Sequence, residues 1–160
     1  MATCPNEGRP PRTGKAWAAV NIAFSVRLPV DAQSVPLARG LLRQALEHLG
    51  VVASSIDEVV LALTEACANV VRHAGEHEEY QVDVSIDDQV CRISVLDDGP
   101  GFDVDAVTAQ APSPLEGGRG LVLMRALVDQ LQFLEAEDGR HGVVLEKQLI
   151  TSPKLRLLTT

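Results

Sequence analysis

Between residues 55 and 74, apolar residues recur at Ile56, Val59, Val60, Leu63, Cys67, Val70, Val71 and Ala74. This is the three- and four-residue spacing of a helix that buries one side. The opposite side carries Glu58, Glu65, Asn69 and Arg72 in a narrow stripe. The Glu65 carboxylate and the Asn69 carboxamide, four residues apart, therefore project together from one face. The helix is expected to open at a capping box of Ser55 and Glu58 and to end near Ala74, where Gly75 can supply a left-handed cap. Upstream, residues 20–28 alternate Ile22, Phe24, Val26 and Leu28 with smaller or polar residues, which predicts a strand ended by Pro29. A helix is expected from about Ser34, with Pro36 in its first turn and Gly50 as its stop. Its inward set is read as Val35, Leu37, Leu41, Leu42, Ala45, Leu46 and Leu49.

Downstream the period changes from helical to two. Alternating runs at 80–86 and 90–96, separated by Asp87-Asp88-Gln89, predict a hairpin. Asp97-Asp98-Gly99-Pro100-Gly101 cannot continue a strand and must turn. Residues 102–116 hold Pro112, Pro114 and several alanines, a loop long enough for a lid. Gly117 to Gly120 leads into a helix from Leu121 to about Val128, and residues 130–137 and 142–149 read as a last hairpin turning at Asp138-Gly139. The expected fold class is α+β: a two-layer sandwich with a mixed, mostly antiparallel sheet covered on one face by helices. Residues 1–19, rich in proline, glycine and charge, are expected to form a disordered arm, residues 20–150 the domain, and residues 151–160 a loose tail.

Composition narrows the function. Hydrophobic residues make up 46% and aromatic ones 3%, so the core is aliphatic. The net charge of −8, with no lysine–arginine cluster, argues against a nucleic-acid partner, which needs a basic face. The three cysteines, Cys4, Cys67 and Cys91, are scattered with no C-x-x-C. They read as reduced thiols of a cytoplasmic protein without a zinc site. No run approaches the ~18 apolar residues of a membrane span. The apolar stretch behind the basic N-terminal residues is short, broken by Asn21, and lacks a convincing leader cleavage site.

Three features then stand in order: Glu65-x-x-x-Asn69 on a helix, Asp97-x-Gly99-x-Gly101 after a strand, and Gly118-Arg119-Gly120-Leu121 opening a helix. Each suits one ligand, a nucleotide with its magnesium. An aspartate at a strand end can accept a hydrogen bond from an exocyclic amine, and the glycines behind it let the backbone approach a base. A glycine-rich helix N-terminus offers backbone N–H groups to phosphate. Asn69 offers a neutral oxygen to Mg²⁺, and Glu65 can take a proton from an attacking oxygen. Singly these are ordinary turns and a solvated helix face; their ordered combination, with a lid-length loop between the last two, is far more specific.

The segments TEACAN, LDDGPGF and GGRGL resemble the N, G1 and G2 boxes of the GHKL, or Bergerat-fold, ATPases. The resemblance covers about residues 20–150 and is strongest to the anti-sigma factor serine kinases of the RsbW type. A glutamate stands four residues before the box asparagine, His48 lacks the context of a phosphoacceptor helix, and no transducer domain is expected to follow. The resemblance implies ATP and Mg²⁺ as cofactors, Glu65 as general base, Asn69 as Mg²⁺ ligand and Asp97 as the adenine-reading residue. Gly99, Gly101, Gly118 and Gly120 would surround the nucleotide, with Arg119 and Leu121 in the same box. Arg39 falls where such proteins turn an arginine toward partners, whereas Arg72 and His73 read as polar residues at the helix's outer end. The implied substrate is a serine or threonine of an anti-sigma antagonist of the STAS type. The implied second partner is a sigma factor, and a homodimer is compatible. Two other readings stay open: a nucleotide-dependent binding module without kinase activity, and the ATPase part of a split histidine kinase.

Overall fold

The computed structural model describes residues 21–73, 75–87, 89–98 and 118–152. In chain order these form β1 (Ile22–Pro29), α1 (Ser34–His48), α2 (Ala53–His73), β2 (Glu79–Asp87), β3 (Val90–Asp97), α3 (Gly118–Leu127), β4 (Gln130–Glu135) and β5 (His141–Gln148). The strands make one sheet in the order β1-β2-β3-β5-β4. All four pairings are antiparallel, so the mixed sheet expected from sequence has no parallel pair among the described residues. The segment from β3 through α3 to β4 skips one position in the sheet, and β5 fills it from the hairpin with β4.

The period-two runs set which face is buried. On β2 the residues Tyr80, Val82, Val84 and Ile86 are buried, and on β3 Cys91, Ile93 and Val95; Ser85 and Arg92 between them are exposed. The helices cover the buried face: α1 packs on β1 and α2, α2 on β3, β5 and α3, and α3 on β4. Leu42, Leu46, Leu63, Ile93, Met124 and Leu145 are the largest side chains that the resulting aliphatic core buries fully. No helix among the described residues is long and apolar enough to cross a membrane.

Three expectations are corrected. On α1 the buried stripe is Ala38, Leu42 and Leu46, whereas Leu37 and Leu41 are 54% and 41% exposed. The stripe at i, i+4, i+8 faces α2, and residues one position earlier are rotated about 100° away from it. Second, α2 begins at Ala53 rather than at a Ser55 cap. Val52 and Val51 are drawn into pairing with the chain beyond β5, through Val52 N–H to the Ile150 carbonyl and a Val51–Thr151 bridge. Ser55 is then inside the helix, its hydroxyl accepting from the Ile150 N–H at 3.3 Å, and Glu58 pairs with Lys147 at 2.8 Å instead of closing a capping box. Third, α3 starts at Gly118, three residues before the expected Leu121. The two predicted helix stops and the predicted hairpin turn hold: Gly50, Gly75 and Gly139 all have positive φ, at 74°, 65° and 81°. The expected arm, the lid-length loop at 102–116 and the end of the tail lie outside the described residues.

Candidate active site

The middle of α2 supplies the first part of the site. Glu65 is half-buried and Asn69, one turn on, is only 6% exposed. Glu65 leaves the side of the helix that α3 packs against, and Asn69 follows it one turn on. A Cβ placed on Gly120 would lie 2.9 Å from Glu65 Oε2, and 3.9 Å from the Glu65 Cβ. The Glu65 carboxylate therefore rests on the bare backbone of the first turn of α3, an approach that only glycine permits.

The strand end supplies the second part. Asp97, the last residue of β3, is 8% exposed. It is the register partner of Tyr80 on β2, so both side chains stand on the helix-covered face. Tyr80 is 2% exposed, and its hydroxyl lies 2.8 Å from Ser34 Oγ and within hydrogen-bonding reach of the Cys67 thiol. Cys67 sits midway between Glu65 and Asn69. That contact lays the Glu65–Asn69 turn of α2 over the end of the sheet where Asp97 emerges. Ser34 Oγ donates to the Asp31 carbonyl at 2.8 Å, which ties the same chain of hydrogen bonds to the start of α1. Burial pushes the Cys67 thiol up to about 12 and the Tyr80 hydroxyl above its ordinary range, so both stay protonated and neutral.

Glu65 thus meets the first turn of α3, and the approach of Tyr80 to Cys67 sets the same stretch of α2 over the strand pair that carries Asp97. Arg119 is exposed in that turn, whereas Leu121 is 7% exposed and belongs to the core. Gly99 and Gly101 lie outside the described residues. Arg39 is exposed on α1, and Arg72 and His73 are exposed in the last turn of α2. Among the described residues no group of three or more histidine, cysteine, aspartate or glutamate side chains is arranged to hold a metal. The candidate donors are instead the Asn69 carboxamide and the carboxylates of Glu65 and Asp97.

Residues 28–147 match the family described as the histidine kinase-like ATPase domain. Serine-protein kinase RsbW of Bacillus pumilus is 30% identical over 130 residues, spanning 72% of this chain and 80% of the relative. The chain belongs to the histidine kinase-like ATPase family, on its RsbW branch. The RsbW of Bacillus velezensis is 29% identical over 148 residues, 77% of this chain and 92% of that one. Two solved structures share the fold. The RsbU and RsbW domains of a Mycobacterium tuberculosis protein superpose with a TM-score of 0.61 at 23% identity, covering 82% of this chain and 33% of that one. The SiaB–SiaC complex of Pseudomonas aeruginosa gives 0.55 at 20% identity, covering 79% and 89%.

Within this family frame, two residues of the site were not singled out from sequence. Gly142 on β5 lies opposite Leu96, and a Cβ there would run into the Val95 carbonyl and come within 2.6 Å of Leu96 Cδ2. It lets β5 close on the strand that carries Asp97. A glycine inside an alternating run is the signal for such an approach. Tyr80, the chain's one tyrosine, gave only a strand signal, because its hydroxyl partners lie on two helices distant in sequence.

Proposed function

We propose that the protein is an ATP-dependent serine (or threonine) protein kinase and anti-sigma factor of the RsbW kind, with Glu65 as its general base. The observation that carries this is the Glu65 carboxylate resting on Gly120. It joins the proton acceptor to the helix N-terminus best suited to phosphate. Asp97 at the strand end accepts from the exocyclic amine of adenine and sets base choice. The backbone of the Gly118–Gly120 turn binds phosphate oxygens. Glu65 orients the incoming hydroxyl and takes its proton as the phosphate is transferred, a role typically contributing about 10²–10⁴-fold.

The donor set fits Mg²⁺, a cation that keeps several waters and is commonly bound through one or two protein groups plus substrate phosphates. Asn69 would hold it, and when bound it neutralises charge on the phosphates. The substrate implied by the resemblance is a hydroxyl of a STAS-type anti-sigma antagonist, and the second partner is a sigma factor. Phosphorylation adds about −1.5 to −2 charges to the antagonist surface, enough to release it and free the kinase for the sigma factor.

Titration calorimetry with ATP, with and without Mg²⁺, tests the nucleotide half of this reading. The parent binds ATP, more tightly with Mg²⁺. Asp97→Ala loses roughly ten- to over a hundredfold in affinity, the cost of about 1.5–3 kcal/mol for a hydrogen bond involving a charged group. Equal binding by parent and variant removes Asp97 from the site.

A further inference from the structure

In the sheet β2 and β5 are not neighbours, because β3 lies between them. One side chain nevertheless joins them. Arg140, in the turn that enters β5, donates from Nη1 to Gln81 Oε1 on β2 at 2.8 Å and from Nε to Asp138 Oδ2 at 2.7 Å. Gln81 is fixed in turn, its amide nitrogen donating to both carboxylate oxygens of Asp83 at 2.8 and 3.0 Å. Gln81 stands between the buried Tyr80 and Val82 on β2, so this chain of bonds lies on the face of the sheet that the helices leave open. To reach Gln81 the guanidinium crosses the end of β3.

That strand end carries Asp97. Asp97 is the last residue of β3, and its pairings with Tyr80 and His141 are the last rungs of both ladders. The ends of elements are where pairing opens first, and the Gly99-Pro100-Gly101 run that follows in sequence disfavours more strand. The residue before Asp97 is Leu96, in register with Gln81 on one side and Gly142 on the other. Leu96 is buried, yet it stands outside the core that the helices cover. The bare backbone of Gly142 leaves room for its side chain, and Gln81, Asp138 and Arg140 line the same hollow. Successive side chains leave a strand on opposite faces, so holding Leu96 behind the sheet fixes the direction in which Asp97 leaves the front.

We propose that Arg140 is a positioning residue for the nucleotide site: strapped to Gln81 across the back of β3, it holds the Asp97 carboxylate in the direction that meets the exocyclic amine of the base. The proposal rests on the reading of Asp97 as the base-binding residue. Arg140 acts from the face opposite the helices and does not touch the base. Asp138 accepts from both its backbone N–H, at 3.1 Å, and its Nε, which aims the guanidinium before it meets Gln81. The planar fork of arginine serves two acceptors in fixed directions, which the point charge of lysine does not. Half-exposed ion pairs contribute little to stability, so loss of the strap should be read in the site rather than in the melting temperature.

The test compares ATP with purine riboside triphosphate, which lacks the exocyclic amine, by calorimetry with Mg²⁺ on the full chain. Parent, Arg140→Ala, Gln81→Ala, the double variant and Asp97→Ala are measured, each with a thermal melt. The parent should prefer ATP, and Asp97→Ala should show no preference. Arg140→Ala and Gln81→Ala should each narrow the preference by about three- to tenfold, part of what a charged hydrogen bond contributes. The double variant should narrow it no further than either single one, as two changes that break one bridge. Substituting the two ends of the strap separately guards against one variant that fails to fold. A general loosening of the fold, or the lost charge of Arg140, weakens both nucleotides alike and leaves the preference unchanged. An unchanged preference in both single variants, or effects that add in the double variant, overturns the role of Arg140; with Asp97→Ala still lacking the preference, the Asp97 reading stands. A parent that binds no ATP or prefers neither nucleotide, or an Asp97→Ala variant with the parent's preference, overturns the nucleotide reading and this inference with it.

Discussion

Substituting Gly120 by alanine separates the stability of the fold from its chemistry. The added methyl would lie 2.9 Å from Glu65 Oε2, where ordinary contact begins at 3.4 Å, so the carboxylate must withdraw by about half an ångström. The atom that gives way is the end of a flexible side chain, not backbone. Displacing it costs about 0.5–1.5 kcal/mol of rotamer strain, offset by the roughly 0.5–1 kcal/mol that alanine gains over glycine inside a helix. The melting temperature should move by only a few degrees. Turnover should suffer more: a 1 Å misplacement can cost about 10²-fold, so half of that predicts roughly tenfold, or about 1.4 kcal/mol of barrier. The assay is single-turnover phosphate transfer to the antagonist, read by mass, beside a thermal melt. The decisive arm repeats Gly120→Ala in a Glu65→Ala background. There the nearest remaining Glu65 atom, Cβ, is 3.9 Å away and nothing needs to move. The second substitution should then cost little, the non-additivity of two changes acting through one group. An equal tenfold loss in both backgrounds would mean that the methyl acts on the nucleotide, and parent-like turnover in the single variant would refute the coupling altogether.

Gly142→Ala should do the reverse, because its Cβ meets backbone, the Val95 carbonyl and the Leu96 Cα at 3.1 Å. We expect a loss of about 2 kcal/mol or more and a melting point lower by at least about 4 °C; an unchanged melt would contradict the close approach of β5 to β3. Stability should also fall in alkali. Cys67 and Cys91 are pushed by burial from 9.0 up to about 12, so above about pH 9 the fold retains protons that the unfolded chain releases. Stability then declines as pH rises, by up to about 1.4 kcal/mol per unit for each thiol, and is unaffected by these groups below pH 9. Urea unfolding at about pH 8 and pH 10.5 checks this, and equal midpoints would refute it.

Much of this architecture was legible because periods of 2.0 and 3.6 are local signals. Tyr80 to Ile86 and Val90 to Leu96 reported both the hairpin and its buried face, and Glu65 and Asn69 reported their shared helix face. The errors arose where distant partners decide. Leu37 and Leu41 are as apolar as Leu42 and Leu46, so the residues of α1 could not say which flank meets α2. Ser55 and Glu58 had the spacing of a capping box, but bonds from Val52 and Ser55 to Ile150, nearly a hundred residues on, set the helix start instead. The same holds for the site. Its residue types could be read, yet the contact of Glu65 with Gly120 depends on how α2 and α3 pack. The reach of Arg140 across β3 to Gln81 depends on the register of β3 with its two neighbours, which no local pattern fixes.

The central claim is tested most directly by measuring ATP binding and phosphate transfer together for the parent and Glu65→Gln. Mixed with Mg²⁺, ATP and its antagonist, the parent should place one phosphate on a serine or threonine of that protein. Glu65→Gln should hold ATP within a few-fold of the parent while transfer falls by about 10²–10⁴. Undiminished transfer by the variant would remove Glu65 as the base. A parent that binds ATP but phosphorylates no antagonist would mark the protein as a nucleotide-dependent binding module and contradict the kinase assignment.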